Sequence, residues 1–357
     1  MYIMLISIGV LAWNEEDVIE TMLVSLFQQS AFHIQSNGLP EVQWEIIIVP
    51  NGCSDNTAKV SQRVLTNLVD QANSNKITFS VCELKEPGKS NAWNYFIHEV
   101  SSSQADLILM MDADIIFGET ETVSNTIKAL LKNPQADVAV DLPLKDVVKK
   151  HNKTLIERIS VTASNASVAD TPTISGQFFC ARANVLRQIW MPKGLAVEDG
   201  FLRAMIVTNC FRSAIDEGKI IRAPNATHYY ETLTSFRKIF HHELRMVIGT
   251  SMNCYFTWDF LMFATDPSGP GAGELIRSWI EKDPLWYQTF IENSIKNHGY
   301  WVLPRGMLFR RFSKFKHYRG LGLIKCTLMV SAGFLLDLPV FFVANRRLKK
   351  GYAIGYW

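Results

Sequence analysis

The sequence predicts an α/β fold, a parallel sheet covered by helices, and three observations carry that expectation. Short runs rich in Ile, Val and Leu alternate with longer stretches of helical spacing through the first 142 residues. Polar loops of one kind, built from Asn, Asp, Glu, Gly and Lys, follow those runs. Apolar residues make up 48% of the 357-residue chain, enough for a large core and too many for a disordered chain. The length allows one large domain or two smaller ones.

Five strands are expected, at Ile3–Leu11, Glu45–Val49, Ile77–Leu84, Leu107–Met111 and Val138–Leu142, each short and bounded by polar turns. The first lacks the basic start and small-residue cleavage site of a signal peptide and runs into Asn14-Glu15-Glu16, so it reads as a buried strand. Helical spacing marks Glu16–Gln29, Thr57–Ala72, Ser90–Val100 and Thr120–Leu131, with Asp55 and Thr57 placed to cap the second. The six cysteines are scattered with no Cys-x-x-Cys pair, which speaks against a disulfide framework or a structural zinc site and for a reducing compartment. Sequons at Asn152, Asn165 and Asn225 matter only in an exported chain.

Ligands of such a sheet gather at the carboxyl ends of its strands. There the sequence places Asn14-Glu15-Glu16, Asn51-Gly52-Cys53-Ser54-Asp55, Glu86-Pro87-Gly88-Lys89 and Asp112-Ala113-Asp114. Taken singly, each loop is compatible with ordinary turn chemistry. Two carboxylates one residue apart at the end of a buried strand repel one another, however, and call for a counter-charge. Hard oxygen ligands of this kind suit Mg²⁺ or Mn²⁺ bridged to a diphosphate.

In this order the loops resemble those of the family-2 glycosyltransferases of the GT-A fold. The matching pieces are Ile8-Gly9-Val10-Leu11-Ala12-Trp13-Asn14-Glu15-Glu16, Ile47-Ile48-Val49-Pro50-Asn51-Gly52-Cys53-Ser54-Asp55-Asn56-Thr57, Gly88-Lys89-Ser90-Asn91-Ala92-Trp93-Asn94 and Asp112-Ala113-Asp114. Ser175-Gly176-Gln177-Phe178-Phe179 and Val197-Glu198-Asp199 follow, so the likeness runs over roughly Ile3–Gly249.

The resemblance implies a nucleotide-diphospho-sugar transferase fold, a Rossmann-like mixed sheet flanked by helices. It implies Glu16 and Asn51 at the base and ribose, beside Ala12 and Asn14, with Asn51 standing where the family frequently has Asp. Lys89 would approach the nucleotide or its diphosphate, and Asp112 and Ala113 the ribose and donor sugar. Asp114 and Asp112 would hold Mn²⁺ or Mg²⁺, with His228 completing the shell or serving structure alone. Asp199, paired with Glu198, would be the general base of an inverting transfer, since a base on the face opposite the leaving group must deprotonate the acceptor. The alternative for that pair is a helix start favoured by the helix dipole.

Phe236–Gly249 has the spacing of an amphipathic helix, with Arg237, His241 and Arg245 on one face, able to hold a diphosphate. It resembles the Gln-x-x-Arg-Trp motif of processive family members, with His242 for Gln and Met246 for Trp, which implies addition of one sugar rather than polymerisation. His241 and Arg245 are therefore expected at the donor. The polar segment Asp146–Asp170 is placed to form either a mobile loop or a helical insertion.

The net charge of +2 hides a split: residues from Trp301 onward carry 11 bases and one acid, Asp337, leaving 25 bases against 33 acids before it. Arg305–Arg319 interleaves bases with Phe309, Phe312, Phe315 and Tyr318, which suits an anionic bilayer better than nucleic acid. Cys326–Ala344 is apolar but for Asp337, contains Pro339 and has basic residues on both sides. A helix dipping into one leaflet accommodates all of this, and a single span or a buried core helix are the other readings.

The expected organisation is a catalytic domain over residues 1–250, with a nucleotide half to 142 and an acceptor half from 143. A helical extension (251–304) and a membrane-associating tail (305–357) would follow. The expected activity is metal-dependent, inverting transfer of one sugar from a nucleotide sugar, UDP-linked by the resemblance, to a lipid or lipid-linked acceptor. The site would be the cytoplasmic face of a bacterial inner membrane. A soluble acceptor, or a non-catalytic nucleotide-sugar-binding scaffold, are the alternatives.

Overall fold

The structure, a computed structural model, describes residues 3–33, 39–72, 74–149, 171–233, 235–304, 306–317 and 319–351. Most of Asp146–Asp170, the sequons at Asn152 and Asn165, and parts of the basic tail lie outside the described residues. The chain divides into two compact units. The first comprises Met1–Lys193, Glu198–Thr232 and Thr265–Ser278; the second comprises Gly194–Val197, Leu233–Ala264 and Trp279–Trp357.

The first unit is a mixed sheet of eight strands. They are β1 (Ile3–Ala12), β2 (Glu41–Pro50), β3 (Ile77–Val81), β4 (Leu107–Asp112), β5 (Ile116–Phe117), β6 (Val138–Lys145), β7 (Phe178–Arg182) and β8 (Ile220–Tyr230). Their order is β3-β2-β1-β4-β7-β6-β8-β5. The half β3-β2-β1-β4 is parallel, as the strand–helix alternation requires, and β7 joins β4 antiparallel. All five strands read from the sequence are present. The strands β5, β7 and β8 are added to them, and they turn the expected parallel sheet into a mixed one.

Helices α1 (Ile19–Phe27), α2 (Thr57–Ala72), α3 (Lys89–Tyr95) and α4 (Thr122–Lys132) fall within or close to the expected segments. Asp55 caps α2, its Oδ1 accepting from the Thr57 N–H at 3.0 Å. Ile6, Ile8, Val10, Ile46, Ile48 and Leu109 are fully buried in the core that these elements share. Parallel strands covered on both faces read as continuous apolar runs, which is why these strands were visible in the sequence.

A partly buried histidine gives this unit a pH-dependent stability. His98 stacks on Trp190 at 3.8 Å between ring centroids, and its Nε2 donates to the Ile189 carbonyl at 2.8 Å. Burial pushes its pKa down from 6.5 to about 4, against that hydrogen bond and with Arg187 and Arg277 adding to the fall. The fold therefore favours neutral His98. The stabilisation is complete above the unfolded value of 6.5 and is lost as pH falls from there toward 4. His98 is only partly buried, so solvent screening reduces the effect, and between pH 7 and pH 5 the wild type is expected to lose about 1 kcal/mol that a His98→Phe variant retains. Denaturant unfolding of both proteins at the two pH values measures the difference, and identical pH dependence would contradict it.

The second unit is helical. It contains α7 (Phe236–Asn253), continued by a π-helical stretch at Cys254–Leu261, then α9 (Trp286–Asn297) and the long α10 (Leu321–Lys349). Helices α5 (Ala183–Leu186) and α6 (Glu198–Val207) precede these in the first unit, and the unit boundary falls within α8 (Ala272–Lys282). Phe256, Phe260, Trp279, Trp286 and Phe290 pack ring against ring in the second unit.

Asp337, the acid inside the apolar tail, is 3% exposed. Arg311 donates to both of its oxygens, at 2.7 and 2.8 Å, and Arg310 bonds Glu243 at 3.0 Å. The buried charge is thus paired bidentately, the arrangement that makes burial tolerable. Leu323, Ile324, Leu328, Leu335, Leu336 and Phe342 remain exposed on the same helix. It is long and apolar enough to cross a membrane by length and composition alone.

Candidate active site

The strand ends of the first unit are tied together by side chains that the sequence had marked as ligand contacts. Asn51 is fully buried. Its Nδ2 donates to the Ala12 carbonyl at 2.8 Å and its Oδ1 accepts from the Gly88 N–H at 3.1 Å. A carboxylate could not make the first bond, so an amide is required there. Asn51 therefore braces three loops at the strand ends where the resemblance places the nucleotide. Ala12 and Ala113 are buried as well.

Asn14 adopts a left-handed backbone (φ 55°) and accepts from the Ser54 N–H at 2.8 Å. Glu16 accepts from the Asn56 N–H at 2.6 Å, while its own N–H donates to Asp55 at 3.1 Å. The first two loops are thus held in register by Asn14 and Glu16, which leaves Glu15 beside the acidic cluster. No role for Glu15 was read from the sequence. Burial raises its carboxyl to about 7, with Asp114, Asp112, Asp55 and Glu231 each adding to the rise. The carboxylates that raise Glu15 come from the second and fourth strand ends and from the end of β8.

Lys89 begins α3 and reaches into the site. Its Nζ lies 2.7 Å from Asp112 Oδ1 and 2.9 Å from Glu198 Oε1, with a fifth of the side chain exposed. Burial alone would lower the lysine pKa, but the two carboxylates override it and hold the ammonium well above its usual value. Burial also raises Asp112, to about 6, against the pull of Lys89 and with Asp114 adding to the rise. One cation thus joins the end of β4 to the start of α6.

Asp199, next along α6, is half-buried and accepts from the Gly200 N–H at 2.8 Å. Burial raises its pKa, and the neighbouring Glu198 charge raises it further. The pair therefore divides: Glu198 is engaged with Lys89, while Asp199 keeps carboxylate lone pairs available for a proton.

Gly176 covers this cluster. Its φ is +67°, and a Cβ placed there would lie 3.4 Å from Glu198 Oε1, 3.6 Å from Asp199 Cβ and 3.8 Å from Lys89 Nζ. Space is adequate, so backbone strain decides the cost. Gly176→Ala is expected to destabilise by about 1 kcal/mol. Gly176→Asn, which tolerates the left-handed region, should cost less. Thermal unfolding of the two variants checks the order.

His228 is fully buried on β8. Its Nδ1 lies 2.8 Å from Asp141 Oδ2 and its Nε2 3.2 Å from Gln177 Oε1. Both partner atoms are acceptors, so the ring is held at each of its nitrogens, the pattern of a histidine oriented by a carboxylate. Gln177 also ties this layer to the site, its backbone carbonyl accepting from the Asp112 N–H at 2.9 Å.

The donor chemistry fits a hard divalent cation. It is all carboxylate oxygen apart from one imidazole, and the raised Glu15 marks an excess of negative charge that a cation relieves. Among the described residues no three His, Cys, Asp or Glu side chains already form a metal-binding group. Asp114 is exposed on the turn after β4, open to a cation that arrives with its ligand.

His241 and Arg245 belong to the second unit. They line a cavity of about 510 Å³ together with other residues of α7 and α10.

A family model described as glycosyl transferase family 2 matches residues 7–190. No curated protein sequence matches the chain. Among solved structures, the chain is similar to the mannosyltransferase PcManGT from Pyrobaculum calidifontis, in complex with GDP-Man and Mn²⁺. The identity is 13%, over 96% of this chain and 86% of that one, with a TM-score of 0.53. It is also similar to glucosyl-3-phosphoglycerate synthase from Mycobacterium tuberculosis in complex with Mn²⁺, UDP-glucose and phosphoglyceric acid. There the identity is 16%, over 70% and 80% of the two chains, with a TM-score of 0.45. At 13% identity the likeness to the mannosyltransferase speaks to the fold alone.

Proposed function

The chain belongs to glycosyl transferase family 2 and is a glycosyltransferase, and on that premise we propose inverting, metal-dependent transfer of a single sugar. The donor is a nucleotide-diphosphate sugar, and the acceptor is a hydroxyl of a lipid or lipid-linked molecule at a membrane surface. The observation that carries this reading is the Lys89 bridge between Asp112 and Glu198, with Asp199 left beside it as a base.

Asp199 takes the proton of the acceptor hydroxyl as that oxygen attacks the anomeric carbon. Its raised pKa keeps it closer to the operating range of a general base than an ordinary aspartate. Glu198 is a positioning residue: its bond to Lys89 fixes the start of α6 and thereby Asp199. Lys89 supplies positive charge where the diphosphate of the donor gathers negative charge. Asp114 and Asp112, with His228 oriented by Asp141, are the residues proposed to hold Mn²⁺ or Mg²⁺. Bound there, the ion would act as a Lewis acid on the leaving diphosphate.

The membrane setting is supported by α10, which turns Asp337 inward onto Arg311 while its outer face keeps Leu328, Leu335, Leu336 and Phe342 exposed. Lys349 and Lys350 stand exposed at its end, where anionic headgroups would meet them. A helix that is apolar on one side and packed into the protein on the other supports peripheral or monotopic attachment.

Thermal unfolding in the presence of UDP- and GDP-sugars, with and without Mn²⁺, tests the donor and metal together. A ligand present at 100 times its Kd adds about 2.7 kcal/mol to the stability of a state that binds it. The expected result is stabilisation that needs both the nucleotide sugar and the ion, with the Mn²⁺-dependent part lost in Asp114→Ala. Stabilisation of equal size without the ion would contradict the metal assignment.

A further inference from the structure

The second unit carries a basic cavity whose chemistry differs from that of the carboxylate site. It measures about 510 Å³ and is lined by Arg237, Lys238, His241, His242 and Arg245 of α7 together with Arg347 of α10. Among the described residues, none that lines it is acidic. Four of the six bases are Arg or Lys, and two helices far apart in sequence supply them, so the concentration of charge is built by the tertiary fold. Arg237, His241 and Arg245 recur every four residues on one face, which stacks their heads along the cavity wall.

The rest of the lining is apolar. Leu244 (2% exposed) and Ile248 (3%) lie on the floor of the cavity, with Leu233 and Ala196 beside them. The helix that contributes Arg347 is also the one whose outer face keeps Leu328, Leu335, Leu336 and Phe342 exposed. Guanidinium forks recognise phosphate oxygens bidentately, and an apolar floor adds affinity for hydrocarbon next to the charge. A nucleotide would find bases here but no polar partners for its sugar and ring among the remaining lining residues.

We propose that this cavity binds an amphiphilic phosphate, a phosphate ester joined to a hydrocarbon chain, as the phosphate-bearing part of the acceptor. As an acceptor site it rests on the transferase reading, whereas as an anion site it does not.

The test uses the full-length protein and dodecyl phosphate below its micellar concentration, with binding followed by calorimetry. The comparison probes are inorganic phosphate, UDP and dodecanol. Dodecyl phosphate is expected to bind at least tenfold more tightly than any of the three. Arg237→Gln and Arg347→Gln, changes on different helices, should each weaken it at least tenfold, while Asp114→Ala, in the first unit, leaves it unchanged. Circular dichroism of each variant confirms the fold. UDP binding as tightly as dodecyl phosphate, with equal sensitivity to Arg347→Gln, would assign the cavity to the donor and overturn the proposal.

Vesicles separate the two sources of a lipid phosphate. If Arg237→Gln and Arg347→Gln reduce sedimentation with phosphatidic acid vesicles but leave monomeric dodecyl phosphate binding intact, the cavity is a membrane contact and the proposal fails. Loss of binding to the monomer supports it. Transfer activity is assayed separately. Binding without any turnover would indict the transferase mechanism, whereas turnover with acceptor KM unchanged in both variants would indict this cavity.

Discussion

Asp199→Asn is expected to lower kcat by about 10³-fold while leaving the affinity for the nucleotide sugar within a few-fold of wild type. A factor of 10³ corresponds to about 4 kcal/mol of transition-state stabilisation, an ordinary contribution for a positioned general base. The structure gives reasons to expect the whole loss at this carboxylate and not at its neighbour. Glu198 is 2.9 Å from the Lys89 ammonium, and a carboxylate in that pairing is a poor proton acceptor. Asp199 accepts from the Gly200 N–H at 2.8 Å, and burial raises its pKa. Asparagine keeps the size and can still accept from Gly200, so the fold should survive. Single-turnover kinetics with a saturating donor separates loss of chemistry from loss of binding. Since the pKa of Asp199 is raised, activity should fall on the acid side at a pH above the ordinary aspartate value of 3.8.

Lys89→Met is expected to affect both stability and turnover. It removes the cation between Asp112 and Glu198 and leaves two carboxylates facing each other without a counter-charge. Breaking a fully buried pair costs about 3–5 kcal/mol. With a fifth of the lysine side chain exposed, solvent screening reduces that to about 2–3 kcal/mol. For a unit of this size the melting temperature should fall by roughly 5–10 °C. The donor kcat/KM should fall about 10²-fold, because the charge that meets the diphosphate is gone. Lys89→Arg retains the charge but replaces a point ammonium by a planar fork, so it should recover stability more fully than activity. Differential scanning calorimetry together with donor kinetics on the two variants checks both expectations. Unchanged melting in Lys89→Met would mean that the bridge does not hold the site together.

The parts of the fold that could be read from the sequence are those where one local signal decides the outcome. The runs at Ile3, Ile46 and Leu107 are covered on both faces, so burial writes itself into composition. The strand β7 was hidden because Phe178-Phe179-Cys180-Ala181-Arg182 is only five residues and pairs antiparallel with both neighbours, β4 and β6. The strand β8 was hidden because Pro224 and Asn225, the latter at φ 52°, interrupt its pattern where the pairing with β6 changes register.

The candidate site divides in the same way. Loop order and residue type pointed to Lys89, Asp112, Asp114 and Asp199. Their partnership could not be seen, because Lys89 and Glu198 stand more than a hundred residues apart and meet only through the fold. The resemblance implied Asn51 at the base and ribose. Only the tertiary position shows that its amide is engaged with Ala12 and Gly88. Asp337 was one of three features set against a full membrane span, and no spacing rule could pair it with Arg311. Asp141 carried no signal of its own, and Gln177 was marked only as part of a motif, because their contacts with His228 form only in the fold.

The central claim is that Asp199 activates an acceptor hydroxyl which attacks the sugar from the face opposite the leaving diphosphate. The most direct measurement is the configuration at the anomeric carbon of the product, read by proton NMR from a reaction with an α-linked nucleotide sugar, Mn²⁺ and a membrane lipid extract. The account predicts a β-linked product formed by the wild type and absent with Asp199→Asn. An α-linked product, or an undiminished yield from Asp199→Asn, would contradict it.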